Sequence, residues 1–309
     1  METAPLHNTL AEGPDNGQAW WLTTDDGVRI RVAAWNTGQK GTVLIFPGRT
    51  EYIEKYGRTA QDLSQRGFST LCVDWRGQGL AERLTDDPLV GHVDRFQDYQ
   101  SDVNSLMRLI AHIDIPKPLY LIGHSMGGAI GLRSLLNVLP VQAAVFTGPM
   151  WGIAINPLLR PIARYLPLTM NAIGQGHLRM INTAKTPYVQ SSPFSDNQLT
   201  TDRDAWDYMK RQIAEVPDLS LAGPSMAWLH EAQKETRSLM KAPAPSVPTL
   251  TFLGSGEVIV DTDAIRDRMS RWPLGKLREI AGAHEALMEA PDIRNAVVDE
   301  ISAHFSKYT

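Results

Sequence analysis

A serine stands at position 125 in Gly123-His124-Ser125-Met126-Gly127, preceded by the apolar run Leu119-Tyr120-Leu121-Ile122 and followed by Gly128-Ala129-Ile130-Gly131-Leu132. Read as strand, sharp turn and helix, this stretch puts one hydroxyl at the apex of a bend. Glycine two residues to either side removes the side chains that would collide where strand and helix approach. The helix behind Ser125 aims unpaired N–H groups and its positive end at any negative charge that forms beside the hydroxyl. With glycine near ~7% of average usage and serine similar, a bare G-x-S-x-G recurs by chance in roughly one chain in ten of this length. The strand before it and the helix after it make a nucleophilic serine the favoured reading over a merely structural turn.

A serine hydroxyl near neutral pH is a poor nucleophile without a base and a group to orient that base. In strand–helix architectures of this kind the partners follow the serine along the chain, acid first and histidine last. Of the eight histidines, His7 and His304 lie near the termini, His112 near a helix end and His92 in a loop. His177 and His230 fall in the middle segment, and His124 leaves the turn in another direction from its neighbour. His284, in Ala281-Gly282-Ala283-His284-Glu285, alone sits just past a late strand and is the expected base. For the acid, Leu253-Gly254-Ser255-Gly256-Glu257-Val258-Ile259-Val260-Asp261 follows the penultimate strand. Glu257 is favoured, because Asp261 has a sufficient role as a helix N-cap; Asp261 remains the alternative. The backbone N–H of Met126, next after the serine, is one expected oxyanion donor. The N–H of Arg49, in the turn Pro47-Gly48-Arg49 after an earlier strand, is the other.

Strands are expected over residues 19–23, 28–34, 42–46, 69–73, 119–122, 143–146, 249–253 and 277–280, alternating with helices from residue 42 onward. Such alternation means a mostly parallel, eight-stranded sheet with helices on both faces. Between residues 150 and 237 no strand pattern appears, only helical pieces broken by prolines. The expected organisation is a core of residues 1–149 and 238–309, with an inserted helical cap over 150–237.

Together the segments Gly-His-Ser-Met-Gly-Gly, Asp74-Trp75-Arg76-Gly77-Gln78-Gly79, Gly-Ser-Gly-Glu with Val260-Asp261, and Gly-Ala-His-Glu resemble the α/β-hydrolase superfamily. The similarity is greatest to bacterial lysophospholipase L2 and the monoacylglycerol lipases, and covers about residues 20–150 and 245–305. Two positions depart from that pattern: Pro47-Gly48 replaces the usual His-Gly, and Glu257 stands where aspartate is usual. The resemblance implies a serine hydrolase that cleaves esters of single-chain lipids, either lysophospholipids or monoacylglycerols. Aminopeptidase, perhydrolase or short-chain esterase activity would use the same parts.

Bulk composition agrees with a soluble enzyme. The 309 residues are 43% hydrophobic and 21% charged, with a formal net charge of -4 and no basic run, which argues against a nucleic-acid partner. The lone cysteine, Cys72, reads as a core thiol. No signal-peptide pattern precedes Gln18 and no apolar run is long enough to cross a bilayer, so a cytoplasmic location is expected, with transient membrane-surface contact left open. The expected chemistry needs neither metal nor cofactor. In the middle segment Met150, Trp151, Met170, Met180, Met209, Met226 and Trp228 suit an acyl chain, or equally that segment's own core.

Overall fold

The computed structural model describes residues 1–308. Nine strands form one sheet: β1 Glu2–Thr3, β2 Gln18–Thr23, β3 Arg29–Trp35, β4 Thr42–Phe46, β5 Ser69–Asp74, β6 Leu119–His124, β7 Ala143–Thr147, β8 Thr249–Gly254 and β9 Gly275–Ile280. Their order is β1-β2-β3-β5-β4-β6-β7-β8-β9, parallel from β5 to β9 and antiparallel among β1, β2, β3 and β5. The sheet thus has one strand more than the expected eight. The addition, β1, pairs Glu2 and Thr3 with Trp21 and Trp20. A two-residue edge strand is too short to show any periodicity.

The helices are α1 Asn8–Ala11, α2 Gly57–Gln65, α3 Tyr99–Ile110, α4 Met126–Leu136, α5 Arg160–Ala172, α6 Tyr188–Ser191, α7 Arg203–Glu215, α8 Met226–Lys241, α9 Thr262–Ser270 and α10 Pro291–Phe305. Among the described residues none is long and apolar enough to cross a membrane. Each central strand is buried on both faces, which is why its sequence is apolar throughout rather than alternating. In β4, Leu44 and Phe46 join the core under α3, α4, α8 and α9, while Val43 and Ile45 join the core under α2 and α10.

Between β7 and β8 the chain forms four helices and no sheet strand. α8 runs unbroken through residue 237 to Lys241, so no change of structure marks the expected boundary there. Its Glu235 meets Arg133 of α4 at 2.6 Å, and Trp228 packs near Phe96. Of the two roles open to the methionines and tryptophans of this segment, most take the core one. Trp151 is fully buried against Phe146 and Trp272, and Met209 packs in a cluster with Trp206. Helical spacing of apolar residues reports a buried face without saying what covers it.

The tightest junction lies where α4 starts. A Cβ on Gly127 would overlap the Phe46 carbonyl group at the end of β4, and one on Gly123 would come within 2.9 Å of the Gly127 oxygen. Gly127→Ala should therefore cost about 3 kcal/mol or more by equilibrium denaturation. Gly174→Ala, at φ +76° with nothing within 4 Å, should cost only about 1 kcal/mol of backbone strain.

Candidate active site

Ser125 occupies the bend between β6 and α4 with φ 48° and ψ -116°, a left-handed conformation unusual for any residue but glycine. Two bonds to the segment leaving β7 hold it there: its N–H donates to the Thr147 carbonyl at 3.1 Å, and its own carbonyl accepts from the Met150 N–H at 2.8 Å, as well as from the Gly128 N–H of α4 at 2.9 Å. The strain is thus fixed by the loop leaving β7. That same loop reaches Glu257 and His284. A Cβ on Gly148 would come within 3.0 Å of His284 Nδ1 and 3.1 Å of Glu257 Oε2.

His284 and Glu257 are both buried, and His284 Nδ1 lies 2.5 Å from Glu257 Oε2. The second carboxylate oxygen of Glu257 accepts the N–H groups of Ile259 at 2.7 Å and Val260 at 3.2 Å. Burial alone would raise the pKa of Glu257. The hydrogen bond and charge interaction with His284, with the two N–H groups, outweigh it and hold the carboxyl below its ordinary value. With Nδ1 engaged by a carboxylate, Nε2 is the ring nitrogen left to accept a proton. Asp261 instead accepts the N–H groups of Asp263 and Ala264, both at 3.1 Å, and caps α9. The structure brings Glu257 to His284 and leaves Asp261 at the helix start.

The turn after β4 is fixed from beneath by the Asp74–Gly79 segment. The Trp75 indole donates to the Pro47 carbonyl at 3.0 Å, and the Gln78 amide donates to the carbonyls of Gly48 at 2.8 Å and Glu51 at 3.1 Å. In a trans peptide the C=O and N–H point opposite ways. Anchoring the Gly48 carbonyl on Gln78 therefore turns the Arg49 N–H away from it. The Gly48 N–H is taken by the Glu51 carboxylate. Among the described residues, neither the Arg49 nor the Met126 N–H has an acceptor. The turn also abuts the serine bend, since a Cβ on Gly48 would lie 3.1 Å from the His124 ring.

Below the serine is a buried charge cluster that spacing alone does not reveal. Lys55 Nζ bonds Glu51 and, at 2.6 Å, Glu285, while His124 Nε2 stands 3.3 Å from Glu285 and 3.5 Å from Glu51. Glu51 also accepts the Tyr56 hydroxyl at 2.6 Å. One cluster thus joins the turn carrying Arg49, the bend carrying Ser125 and the loop carrying His284. Glu51, His124 and Glu285 could in principle offer ligands to a cation, but the Lys55 ammonium already fills that role. Only the fold shows Glu51 and Lys55 to be buried.

Burial disfavours the charges of Glu285, Lys55 and His124, and their partners outweigh it. Glu285 is held well below the carboxylate range by His124 and Lys55, and Lys55 is raised by Glu285 and Glu51. His124 Nδ1 lies 3.0 Å from the Thr147 carbonyl, an acceptor only, so that nitrogen carries a proton. Glu285 and Glu51 raise the His124 pKa above its ordinary 6.5. The stabilisation that follows from a raised value is complete below 6.5 and is lost as pH climbs through the folded-state pKa. Denaturation of wild type and His124→Asn at about pH 6 and about pH 9 should show the gap between them shrinking at the higher pH. A gap that grows with pH would contradict the charged imidazole.

Comparison with known proteins agrees with this architecture. The family model described as "Serine aminopeptidase, S33" matches residues 37–291. The lysophospholipase L2 of Escherichia coli strain K12 is 31% identical over 307 residues, covering 93% of this chain and 87% of that protein. A probable lysophospholipase L2 of Haemophilus influenzae is 29% identical, covering 85% and 82%. Among solved structures, a soluble variant of Saccharomyces cerevisiae monoglyceride lipase superposes with TM-score 0.72 at 20% identity, over 93% of this chain and 94% of that one. The chain belongs to the serine aminopeptidase S33 family, and so to the serine hydrolases built on the α/β-hydrolase fold.

Proposed function

We propose that this protein hydrolyses carboxylic esters of single-chain lipids through an acyl-enzyme on Ser125. The observation that carries the reading is the contact of His284 Nδ1 with Glu257 at 2.5 Å, on a loop that packs against the residues holding Ser125. His284 Nε2 takes the Ser125 proton as Oγ attacks the ester carbonyl, and Glu257 stabilises the imidazolium. The oxyanion is met by the N–H groups of Met126 and Arg49. Collapse expels the alcohol, which leaves with the proton from His284. Water activated by the same ring then releases the fatty acid. The curated relatives named lysophospholipase and monoacylglycerol lipase support a lipid ester as substrate.

Residues 150–237 serve as a cap in this reading. Their outer surface supports contact with a lipid layer. Leu158, Leu159, Ile162, Tyr165, Leu168 and Ile173 are all more than 40% exposed on and around α5. The opposite face of α5 is anchored, with the Ala163 carbonyl accepting from Gln233 of α8 at 2.9 Å. From residue 151 to 195 there is no aspartate or glutamate, while Arg160, Arg164, Arg179 and Lys185 are present. An apolar, cationic face on a chain of net charge -4 suits transient docking to an anionic bilayer.

Three measurements test these assignments. Ser125→Ala should lower turnover of a p-nitrophenyl acyl ester by at least about 10⁴-fold and abolish fluorophosphonate labelling. Glu257→Gln should cost about 10³-fold in kcat, whereas Asp261→Asn, still a good N-cap, should stay within about twofold; the reverse pattern would reassign the acid. Wild type should co-sediment with phosphatidylglycerol vesicles more than with phosphatidylcholine vesicles, and Leu159→Ser with Ile162→Ser should remove that binding. Turnover of aminoacyl amides without turnover of acyl esters would favour the aminopeptidase alternative.

A further inference from the structure

Most arginines set deep in this protein are matched by acids. Arg31 meets Glu54 at 2.7 Å and Asp74 at 2.8 Å, and Arg76 meets Asp26 at 2.6 Å and Asp102 at 2.8 Å. Arg49 differs. Among the described residues its guanidinium meets no carboxylate, and it makes one hydrogen bond, from Nη1 to the Ala222 carbonyl at 2.7 Å. It lies over the face of Trp228, 5.4 Å from the ring centroid, and close enough to Gly91 that a Cβ there would come within 3.2 Å of Nη1. Its other guanidinium nitrogens make no hydrogen bond and are not among the fully enclosed polar atoms, so the group keeps some exposure to solvent. Surrounding protein lowers its pKa to about 10 by desolvation, which leaves it charged at neutral pH. A largely buried cation without an anion is costly unless something else supplies the anion.

The position of this cation selects the ligand. Its own N–H is one of the two oxyanion donors proposed above. From that nitrogen to the guanidinium carbon, arginine has the same number of covalent bonds as separate the ester carbonyl carbon of a lysophospholipid from its phosphorus. A guanidinium fork also matches phosphate oxygens in geometry and charge. We propose that the Arg49 side chain is the headgroup subsite of this enzyme, binding the phosphodiester anion of a single-chain phospholipid while the backbone N–H of the same residue holds the ester oxyanion. The inference rests on the ester-hydrolase reading and deepens it: a neutral monoacylglycerol gives the guanidinium nothing to bind.

Kinetics with lysophosphatidylglycerol and monoacylglycerol of one chain length, each in neutral-detergent mixed micelles, test it on wild type, Arg49→Met and Arg49→Lys. In Arg49→Met, kcat/KM for the phospholipid should fall about ten- to hundredfold further than for the monoacylglycerol, mainly through KM. Arg49→Lys, which keeps the charge, should restore part of that selectivity. Equal losses on both substrates, as from a guanidinium that only braces the turn against Ala222, would overturn the subsite, and so would no loss on either. A readout on wild type alone guards against a misfolded variant. Glycerophosphoglycerol should competitively inhibit hydrolysis of a short neutral ester, and glycerol should not; equal inhibition by inorganic phosphate would assign the cation to free phosphate instead. Failure of wild type to cleave any acyl ester in a Ser125-dependent way would defeat the hydrolase reading itself. An unmoved selectivity with turnover intact defeats the subsite alone.

Discussion

The backbone of Ser125, held at a positive φ between β6 and α4, is the constraint on which the other parts depend. A conformation that costs of order 1–3 kcal/mol persists only where neighbours over-determine it. Here they are Thr147 and Met150, which bond the Ser125 backbone, and the close packing of Gly127 on the end of β4. The strain aims one side chain and one N–H group at the same space. It also forces the turn after β4 and the loop after β7 to lie beside the serine, and those two segments bring the Arg49 N–H and the contact with His284.

Beneath this bend the protein uses charge rather than apolar packing. Glu51, Lys55, His124 and Glu285 are all buried and come from three stretches of chain around the site. Two carboxylates facing one ammonium and one imidazolium balance without solvent, which allows such a cluster to stay folded. A hydrophobic cluster could fill the same volume, but it would not fix direction. The carboxylate of Glu51 occupies the Gly48 N–H and so leaves the adjacent Arg49 N–H as the one pointing outward. Asp74 acts similarly one layer away, accepting from Ile53 and Leu80 at 2.8 Å while paired with Arg31.

The segment between β7 and β8 shows how a periodic apolar pattern divides between two uses. The inward residues, Trp151, Met209 and Met226 among them, complete cores. What remains outside is a second apolar set on α5, interleaved with arginines and free of acids. α8 ties this segment down through Arg133–Glu235 and through Trp228, which lies near both Phe96 and the Arg49 guanidinium. The surface suited to lipid contact and the cation proposed to read the headgroup are thus linked through one helix.

Sequence alone carried the features that depend on short-range pattern. Eight of the nine strands were legible, the five from β4 to β8 as continuous apolar runs because central parallel strands are buried on both faces. The Gly-x-Ser-x-Gly bend was legible because only glycine tolerates the close approach, and His284 stood out by its place after a late strand. The ninth strand was too short to leave a pattern. The buried ion cluster was hidden because its members come from three segments of chain that only the fold brings together. Whether Glu257 or Asp261 touches His284 also depended on the path of one loop, where four residues of separation decide between a helix cap and a buried carboxylate. The two acids are equally plausible as letters; a packed structure gives each only one place to put its oxygens.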